Sequence, residues 1–334
     1  MTIEGGAPRL TVELKKRNAN VDAVRICALV AVVIGHVYTH NEITDRLIQS
    51  WRLPVFFMLS GFFWSASKDL KSEAKDRARR LLVPYAWWAL IFAAISLPFT
   101  VGRGPDSLFP TLGRLVLGGS YVVRPYTTFW FFTALFVATV LYRFLTTLPS
   151  WVRLATVSAG LGLNVLYGQE LAQAPFAALS ALGAMVFLEA GRLTHALSRR
   201  LGGKILALIG VGCLSAAASV LLMTDDFVPL DMKSGQFSLL AVLIAFLFCV
   251  ALLIAATLAP QPSPRVARVM DTLSRPTLAV ILLHPLMLWV LRPESGVIPL
   301  PVVTVIALVV PWAAGLLIAR TRFAYSLLGV PSTR

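Results

Sequence analysis

The chain has 334 residues, of which 57% are hydrophobic and only 14% are charged. Soluble domains carry about 25% charged residues, and apolar runs recur along the whole chain, so the composition excludes an ordinary soluble globular core. The net charge of +14 does not indicate a nucleic-acid partner, because the basic residues sort by loop, as they do in multi-pass membrane proteins.

Ten apolar segments indicate membrane spans, since a spanning helix needs about 20 predominantly apolar residues. Most Lys and Arg residues fall in alternate loops, which predicts an even number of spans with both termini in the cytoplasm. The segments lie near 22–40, 53–66, 81–100, 129–147, 152–168, 174–192, 204–223, 237–259, 275–292 and 299–319.

We therefore expect an all-α, polytopic integral membrane protein with about ten transmembrane helices. A cytoplasmic tail at 1–20 precedes a transmembrane domain at 21–322, and a second cytoplasmic tail follows at 323–334. No secretory signal is expected, because the first twenty residues are polar and basic and contain no apolar core.

The first segment carries Arg25 and His36, eleven residues apart. At about 100° per residue they project within roughly 20° of each other, separated along the axis by about 16 Å. Ionisable side chains inside a bilayer are costly and usually functional. With Asp22 one turn before Arg25 and Gly35 allowing close approach of a neighbour, the pattern favours a functional acid–base group at His36 over a packing histidine.

The second segment contains Ser60-Gly61 among aromatic residues. Small residues allow close helix packing, and the Ser60 hydroxyl is a candidate hydrogen-bond donor to a bound ligand. It is also a possible nucleophile, although no base lies near it in sequence.

The loop between the second and third segments carries six basic residues. One α-helical turn separates Arg77 from Arg80, so the two can grip one anion, and guanidinium groups suit phosphates. A phosphorylated cofactor on the cytoplasmic side is the favoured ligand, and a topology signal that contacts anionic lipid is the alternative. The six are Lys68, Lys71, Lys75, Arg77, Arg79 and Arg80.

The only long outer loop, 101–128, is rich in Gly and Pro and is expected to be irregular. It leads into a run of aromatic residues that includes Trp130, which either forms a lid or platform for an acceptor or belongs to an interfacial aromatic belt.

The ninth segment contains His284 followed by Pro285. Proline at 285 frees the carbonyl of Ile281 from its helix partner and bends the helix, and a kink beside an intramembrane histidine can line a cavity. A packed histidine at a kink is the alternative. The three cysteines, Cys27, Cys213 and Cys249, show no metal-ligand spacing, so no metal is expected.

Together these motifs resemble acyltransferase family 3, the bacterial membrane proteins that include O-antigen and other glycan O-acetylases. The resemblance rests on motifs in chain order: Arg25-x10-His36, Pro54-Val-Phe-Phe-Met-Leu-Ser60-Gly61-Phe, Arg77-x-x-Arg80, Arg80-Leu-Leu-Val-Pro84-Tyr85, Trp130-Phe-Phe-x-x-Leu and Leu-His284-Pro285.

The resemblance implies ten core helices and an acyl-CoA donor, expected to be acetyl-CoA, that is used from the cytoplasm. It implies a catalytic His36 with Arg25 essential beside it, and Arg77 and Arg80, with Lys75 nearby, at the donor. On this basis the acceptor is a hydroxyl of a cell-envelope or exported carbohydrate, possibly lipid-linked, and the protein lies in the bacterial cytoplasmic membrane among its lipids.

Within this interpretation, His36 takes the proton of the acceptor hydroxyl, and His284 or Ser60 donates a hydrogen bond to the oxyanion. Trp130 and Asp22 are assigned to the substrate site. Direct transfer and a relay through an acyl-enzyme both remain open, as does the oligomeric state.

Three other functions remain open. A small secondary metabolite such as a macrolide is the alternative acceptor. A transporter or flippase of a lipid-linked glycan is the alternative from another class, but it predicts an internal repeat, and none is visible. A non-catalytic membrane scaffold or sensor predicts that Arg25 and His36 tolerate apolar replacement.

Overall fold

The computed structural model describes residues 18–39, 41–102 and 104–333, which are helical apart from turns and connections and contain no strand. The predicted tail at 1–20 lies almost wholly outside these residues. The longer helices are α1 (Ala19–Val37), α2 (Pro54–Phe62), α3 (Leu70–Arg77), α4 (Val83–Val101), α5 (Pro105–Leu117), α6 (Phe129–Leu145), α7 (Ser150–Ala172), α8 (Ser180–Arg200), α9 (Gly203–Met223), α10 (Leu239–Leu258), α11 (Pro264–Ser274), α12 (Thr277–Leu291), α13 (Leu300–Ala319) and α14 (Ala324–Leu328).

The all-α fold class is confirmed, and each of the ten predicted segments falls on a helix. Seven helical stretches in the described part of the chain are long and apolar enough to cross a membrane by length and composition. The other three segments correspond to α2, which is short, to α6, and to α7, whose buried Arg153 and Asn164 lower its hydropathy. Ten spans and two cytoplasmic termini therefore stay predictions.

The first helix is surrounded by the last ones. Helix α1 begins with Asn18 as its N-cap, whose side chain accepts from the backbone of Asn20 and Val21. It then packs against α10, α11, α12 and α13. This arrangement places residues from the two ends of the chain in one site.

Two glycines allow a close crossing of α2 and α8. A Cβ atom at Gly61 would overlap the Leu188 carbonyl, and one at Gly191 would overlap the Met58 carbonyl. The close packing predicted from Ser60-Gly61 is thus confirmed. The crossing fixes the orientation of α2 and of the short helical turns at 42–52 that precede it.

Among the helices that lie outside the ten predicted segments, α5 and α11 are the longest. The loop at 101–128, expected to be irregular, contains α5, and α11 lies between the eighth and ninth predicted spans. Both begin with a proline in the first turn, at Pro105 and Pro264, and Ser263 caps α11. Both carry apolar residues at helical spacing. Both helices have fewer than 18 residues, so they are too short to be identified as membrane spans.

The C-terminal segment contacts the start of α4. Within 323–334, helix α14 packs on α4, where Trp88 Nε1 donates to the Leu327 carbonyl at 2.9 Å. The following Gly329 has a positive φ of 64° and lies directly against the carbonyl of Arg80. A residue with a Cβ atom would be strained there.

Candidate active site

His36 and His284 meet at the centre of the site. The Nδ1 atom of His36 lies 2.8 Å from Nε2 of His284, and their ring centroids are 5.0 Å apart. His284 is fully buried in α12, whereas His36 near the end of α1 is partly accessible. The histidine that the sequence favours as the acid–base group is therefore the accessible member of the pair.

The hydrogen-bond pattern assigns a tautomer to each ring. Nδ1 of His284 lies 2.8 Å from the Val280 carbonyl, which can only accept, so this nitrogen carries hydrogen. In the neutral ring Nε2 of His284 is then an acceptor, and Nδ1 of His36 must donate to it. This leaves the lone pair of His36 on Nε2, where it can take a proton from a substrate.

The proline kink has the effect that the sequence predicts. Pro285 cannot donate to the Ile281 carbonyl, and the hydroxyl of Thr128 donates to that carbonyl instead, at 2.7 Å. Thr128 is buried and caps the start of α6. The freed carbonyl thus joins α6 to α12, one turn before His284.

A buried cation lies beside the histidine pair. Arg52 is only 4% exposed, and its guanidinium occupies the space that a Cβ atom at Gly35 would fill. Nη1 donates to the Val32 carbonyl at 3.5 Å, while Nε is buried without a hydrogen-bond partner. The neighbour that the sequence predicts at Gly35 is therefore this arginine.

Two further basic residues lie near the end of α1 that carries His36. Arg124 donates to the His36 carbonyl at 3.4 Å and pairs with Glu294 at 3.0 Å. Lys233 donates to the Val122 carbonyl at 2.6 Å. Burial lowers the pKa of the Lys233 ammonium, and Asp231 acts in the opposite direction. Both residues belong to loops that the charge pattern places on the outer side.

Arg25 lies at the opposite end of α1 from His36 and is paired. Its Nη1 atom lies 2.8 Å from Oδ1 of the buried Asp22, and its guanidinium lies 5.5 Å from the Phe63 ring. Asp22 therefore forms an ion pair with Arg25, and most of the length of α1 separates it from the histidine pair.

The basic loop contains an ion cluster around a buried carboxylate. Glu73 is 3% exposed and accepts from Nε of Arg77 at 2.7 Å and from Arg143 at 3.4 Å. Arg143 also lies 3.8 Å from the Trp64 ring. Arg77 is consequently engaged through Nε, and the N–H groups of its two terminal nitrogens are its remaining donors.

The predicted α-helical pairing of Arg77 with Arg80 is corrected by the backbone. Residues Ala78–Leu82 form a π-helix, in which hydrogen bonds run from i to i+5, so three residues no longer make one turn. Arg80 and Lys75 are exposed. Arg77 is partly buried, and the spacing of one α-helical turn between Arg77 and Arg80 that the sequence predicts is not formed.

Three predicted substrate or oxyanion donors have other partners. The Ser60 hydroxyl donates to the Phe56 carbonyl at 3.1 Å within its own helix, and both ring nitrogens of His284 are occupied. Trp130 is 3% exposed and packs against Phe131 in the core, so it forms neither a surface platform nor an interfacial belt. Ser60 and Trp130 thus contact residues of their own helices and His284 contacts His36, while a role of any of the three at the substrate stays a prediction.

Sequence reasoning missed Arg52, Thr128 and Glu73. The signal for Arg52 is its place two residues before Pro54, at the start of an apolar helix, which indicates an arginine at membrane depth. Glu73 is one of three acidic residues in the basic run, with Asp69 and Asp76, and the sequence does not single it out from the other two. Nothing in the sequence around Thr128 indicates its contact with Ile281.

Comparison with known families identifies the chain. A family model described as an acyltransferase domain, that of acyltransferase family 3, matches residues 18–320. The chain matches no curated protein and no solved structure. The matched range includes the histidine pair, Arg52 and the basic loop. The chain therefore belongs to acyltransferase family 3.

Proposed function

We propose that the protein is a membrane O-acyltransferase that moves an acyl group, expected to be acetyl, from cytoplasmic acyl-CoA to a hydroxyl of a cell-envelope or exported carbohydrate. The observation that carries this proposal is the contact between His36 and His284 in a chain of an acyltransferase family. The contact leaves one imidazole nitrogen with a free lone pair near the end of α1.

The reaction begins when the acceptor hydroxyl attacks the thioester carbonyl and His36 Nε2 takes the hydroxyl proton. His284 holds the His36 ring in the required tautomer, as the Val280 carbonyl in turn holds His284. Collapse of the tetrahedral intermediate releases the CoA thiolate, which receives the proton from His36. No group other than the two substrates and this imidazole is needed to balance the transfer.

The donor is assigned to the cytoplasmic end. Arg77, Arg80 and Lys75 would contact the phosphates of the nucleotide, and Arg25 lies on the same helix as His36 along the path between them. Guanidinium groups bind phosphate oxygens in pairs. The pairing of Arg77 with Glu73 fixes its orientation while leaving donors for a phosphate.

The acceptor is assigned to the outer end, in the bacterial cytoplasmic membrane. His36 lies next to Arg124 of the loop before α6, on the side that the charge pattern makes external. A hydroxyl on a carbohydrate outside the membrane, free or lipid-linked, can approach Nε2 from that side. The membrane then separates the two substrates until they meet at the histidine pair.

The test uses purified full-length protein in detergent, with labelled acetyl-CoA. We expect the wild type to bind the donor and to transfer or hydrolyse its acetyl group. The variant His36→Ala should bind with unchanged affinity and lose turnover. His195→Ala is the matched control, because His195 lies on α8 with its ring edge-to-face against Phe62, at 4.9 Å between centroids, and it should keep wild-type turnover.

The donor site is tested in the same assay. Arg77→Ala/Arg80→Ala should weaken acetyl-CoA binding, whereas Arg199→Ala/Arg200→Ala, which removes an exposed basic pair at the end of α8, should not. If no form binds acyl-CoA, the donor assignment is wrong and transport of an envelope glycan becomes the leading function. If His36→Ala turns over normally, the catalytic assignment is wrong.

A further inference from the structure

Arg52 is a buried cation without a carboxylate partner. Within the described part of the chain, no Asp or Glu oxygen lies within 4.0 Å of its guanidinium, and its one hydrogen bond is the 3.5 Å contact with the Val32 carbonyl. The nearest acidic groups that act on it are Asp231 and Asp45, at longer range. Buried charges in proteins are normally paired or hydrogen-bonded, so this arginine is an exception that requires an explanation.

The guanidinium is held close to the proposed base. Its contacts with α1 are Val32 and Gly35, which belong to the helical turn that ends at His36. The absence of a side chain at Gly35 creates the space that the guanidinium fills. The charge therefore lies within about one helical turn of the imidazole that removes the acceptor proton.

The other groups around His36 already have partners. Both nitrogens of His284 are occupied, the Ser60 hydroxyl bonds to Phe56, and Arg124 pairs with Glu294. Lys233 donates to the Val122 carbonyl. Among these groups Arg52 is the charged donor with a buried nitrogen still unsatisfied.

We propose that Arg52 is the oxyanion donor of the acyl transfer, a role that rests on the proposed function. As the acceptor oxygen bonds to the thioester carbon, negative charge moves onto the carbonyl oxygen, which the guanidinium receives through its N–H groups. The acceptor proton goes to His36 Nε2. The C–S bond then breaks, the carbonyl re-forms, and the proton passes to the CoA sulfur.

A preorganised donor in a water-poor site is the usual means of stabilising such an oxyanion. A guanidinium held by packing, rather than by a counter-ion, is already oriented before the charge develops. A carboxylate partner would cancel the field that the oxyanion needs. The lack of a salt bridge at Arg52 is thus a requirement of this role.

The test compares two CoA thioether ketones that cannot transfer an acyl group. S-acetonyl-CoA resembles the ground-state donor, whereas S-(3,3,3-trifluoroacetonyl)-CoA forms a tetrahedral hydrate or alkoxide that resembles the intermediate. We expect the wild type to bind the trifluoro compound at least about 100-fold more tightly, as for transition-state analogues in general. Arg52→Gln should reduce that ratio by about 10²–10³-fold or to unity, the scale of losing one oxyanion donor.

Two further variants separate this role from a structural one. Arg52→Lys keeps the charge and should retain part of the ratio, while Arg124→Gln, which removes a nearby but paired cation, should leave the ratio unchanged. Binding of S-acetonyl-CoA to Arg52→Gln at wild-type affinity shows that the variant is folded.

The outcomes distinguish the two proposals. If Arg52→Gln weakens both ketones equally, or neither, Arg52 is not the oxyanion donor although the acyltransferase proposal stands. If Arg124→Gln lowers the ratio as much as Arg52→Gln does, the local charge is responsible and the specific assignment is wrong. If neither ketone binds to the wild type, the donor assignment in the proposed function has failed, and the Arg52 assignment fails with it.

Discussion

The Nδ1 atom of His36 lies 2.8 Å from the Nε2 atom of His284, across 248 residues of sequence. This contact makes the tautomer of the proposed base depend on α12. We predict that His284→Leu lowers kcat about 10²-fold, because Nδ1 of His36 loses its acceptor and the ring can turn or change tautomer. His284→Gln, whose amide oxygen can accept the same hydrogen bond, should retain more activity than His284→Leu.

The measurement is the pH dependence of kcat in the two variants together with the donor Kd. An orienting role predicts an unchanged Kd in both and an altered pH profile in His284→Leu. Equal activity of the Leu and Gln variants would contradict it.

Gly35→Ala tests the space that Arg52 occupies. The added methyl group would overlap Nη1 of Arg52, so the guanidinium must move while the rest of α1 stays in place. We predict a fall in kcat of about 100-fold, the effect of displacing a catalytic group by about 1 Å, with donor affinity unchanged. Gly212→Ala on α9, where nothing lies within 4 Å of the added carbon, is the control and should keep full activity. Full activity of Gly35→Ala as well would show that the position of Arg52 is unimportant.

Glu73→Gln tests the buried ion cluster under the basic loop. Without the carboxylate, Arg143, whose side chain is 4% exposed, is left as a buried charge without its ion partner. We expect a loss of about 3–5 kcal/mol in the free energy of unfolding, measured by denaturation in detergent. Asp76→Asn removes an exposed carboxylate that pairs with Lys68 at 2.6 Å, and it should cost less than about 1 kcal/mol. Similar losses of unfolding free energy in Glu73→Gln and Asp76→Asn would contradict a larger contribution of the buried carboxylate to stability.

Gly61→Ala tests the crossing of α2 with α8. A methyl group there would overlap the backbone carbonyl of Leu188, which cannot move without shifting a helix. We predict destabilisation of about 1–3 kcal/mol, typical of overpacking, seen as a lower Tm. Gly162→Ala on α7, with open space around the added carbon, should have an unchanged or slightly raised Tm. A Tm of Gly61→Ala equal to that of the wild type would mean that the crossing tolerates a wider separation.

Hydropathy and charge patterning predicted the helical class and the position of each apolar helix, because these properties are local. The same approach missed α5 and α11, whose amphipathic sequences are too short for a span. It also assumed an α-helical turn at Arg77, where the chain forms a π-helix at Ala78–Leu82. Whether a segment forms an α-helical or a π-helical turn depends on packing against other helices rather than on the residues of the turn.

Those features of the candidate site that depend on the sequence of a single helix were predictable. His36 with Gly35, and the carbonyl freed by Pro285, follow from spacing and backbone chemistry. The contact of His36 with His284 and the partner of Gly35 depend on how distant helices pack, which a single sequence does not report. For the same reason the sequence does not report the contacts of Ser60 with Phe56 and of Trp130 with Phe131.

The enclosure of α1 by the last helices has a consequence for synthesis in the cell. Helix α1 is made first, yet the surfaces that receive it, on α10, α11, α12 and α13, emerge only after residue 239. During most of translation His36 lacks His284, so the histidine pair does not exist. On the proposed mechanism, acyl transfer therefore requires a nearly complete chain, and a truncation before α12 removes His284 together with the packing that holds the first helix.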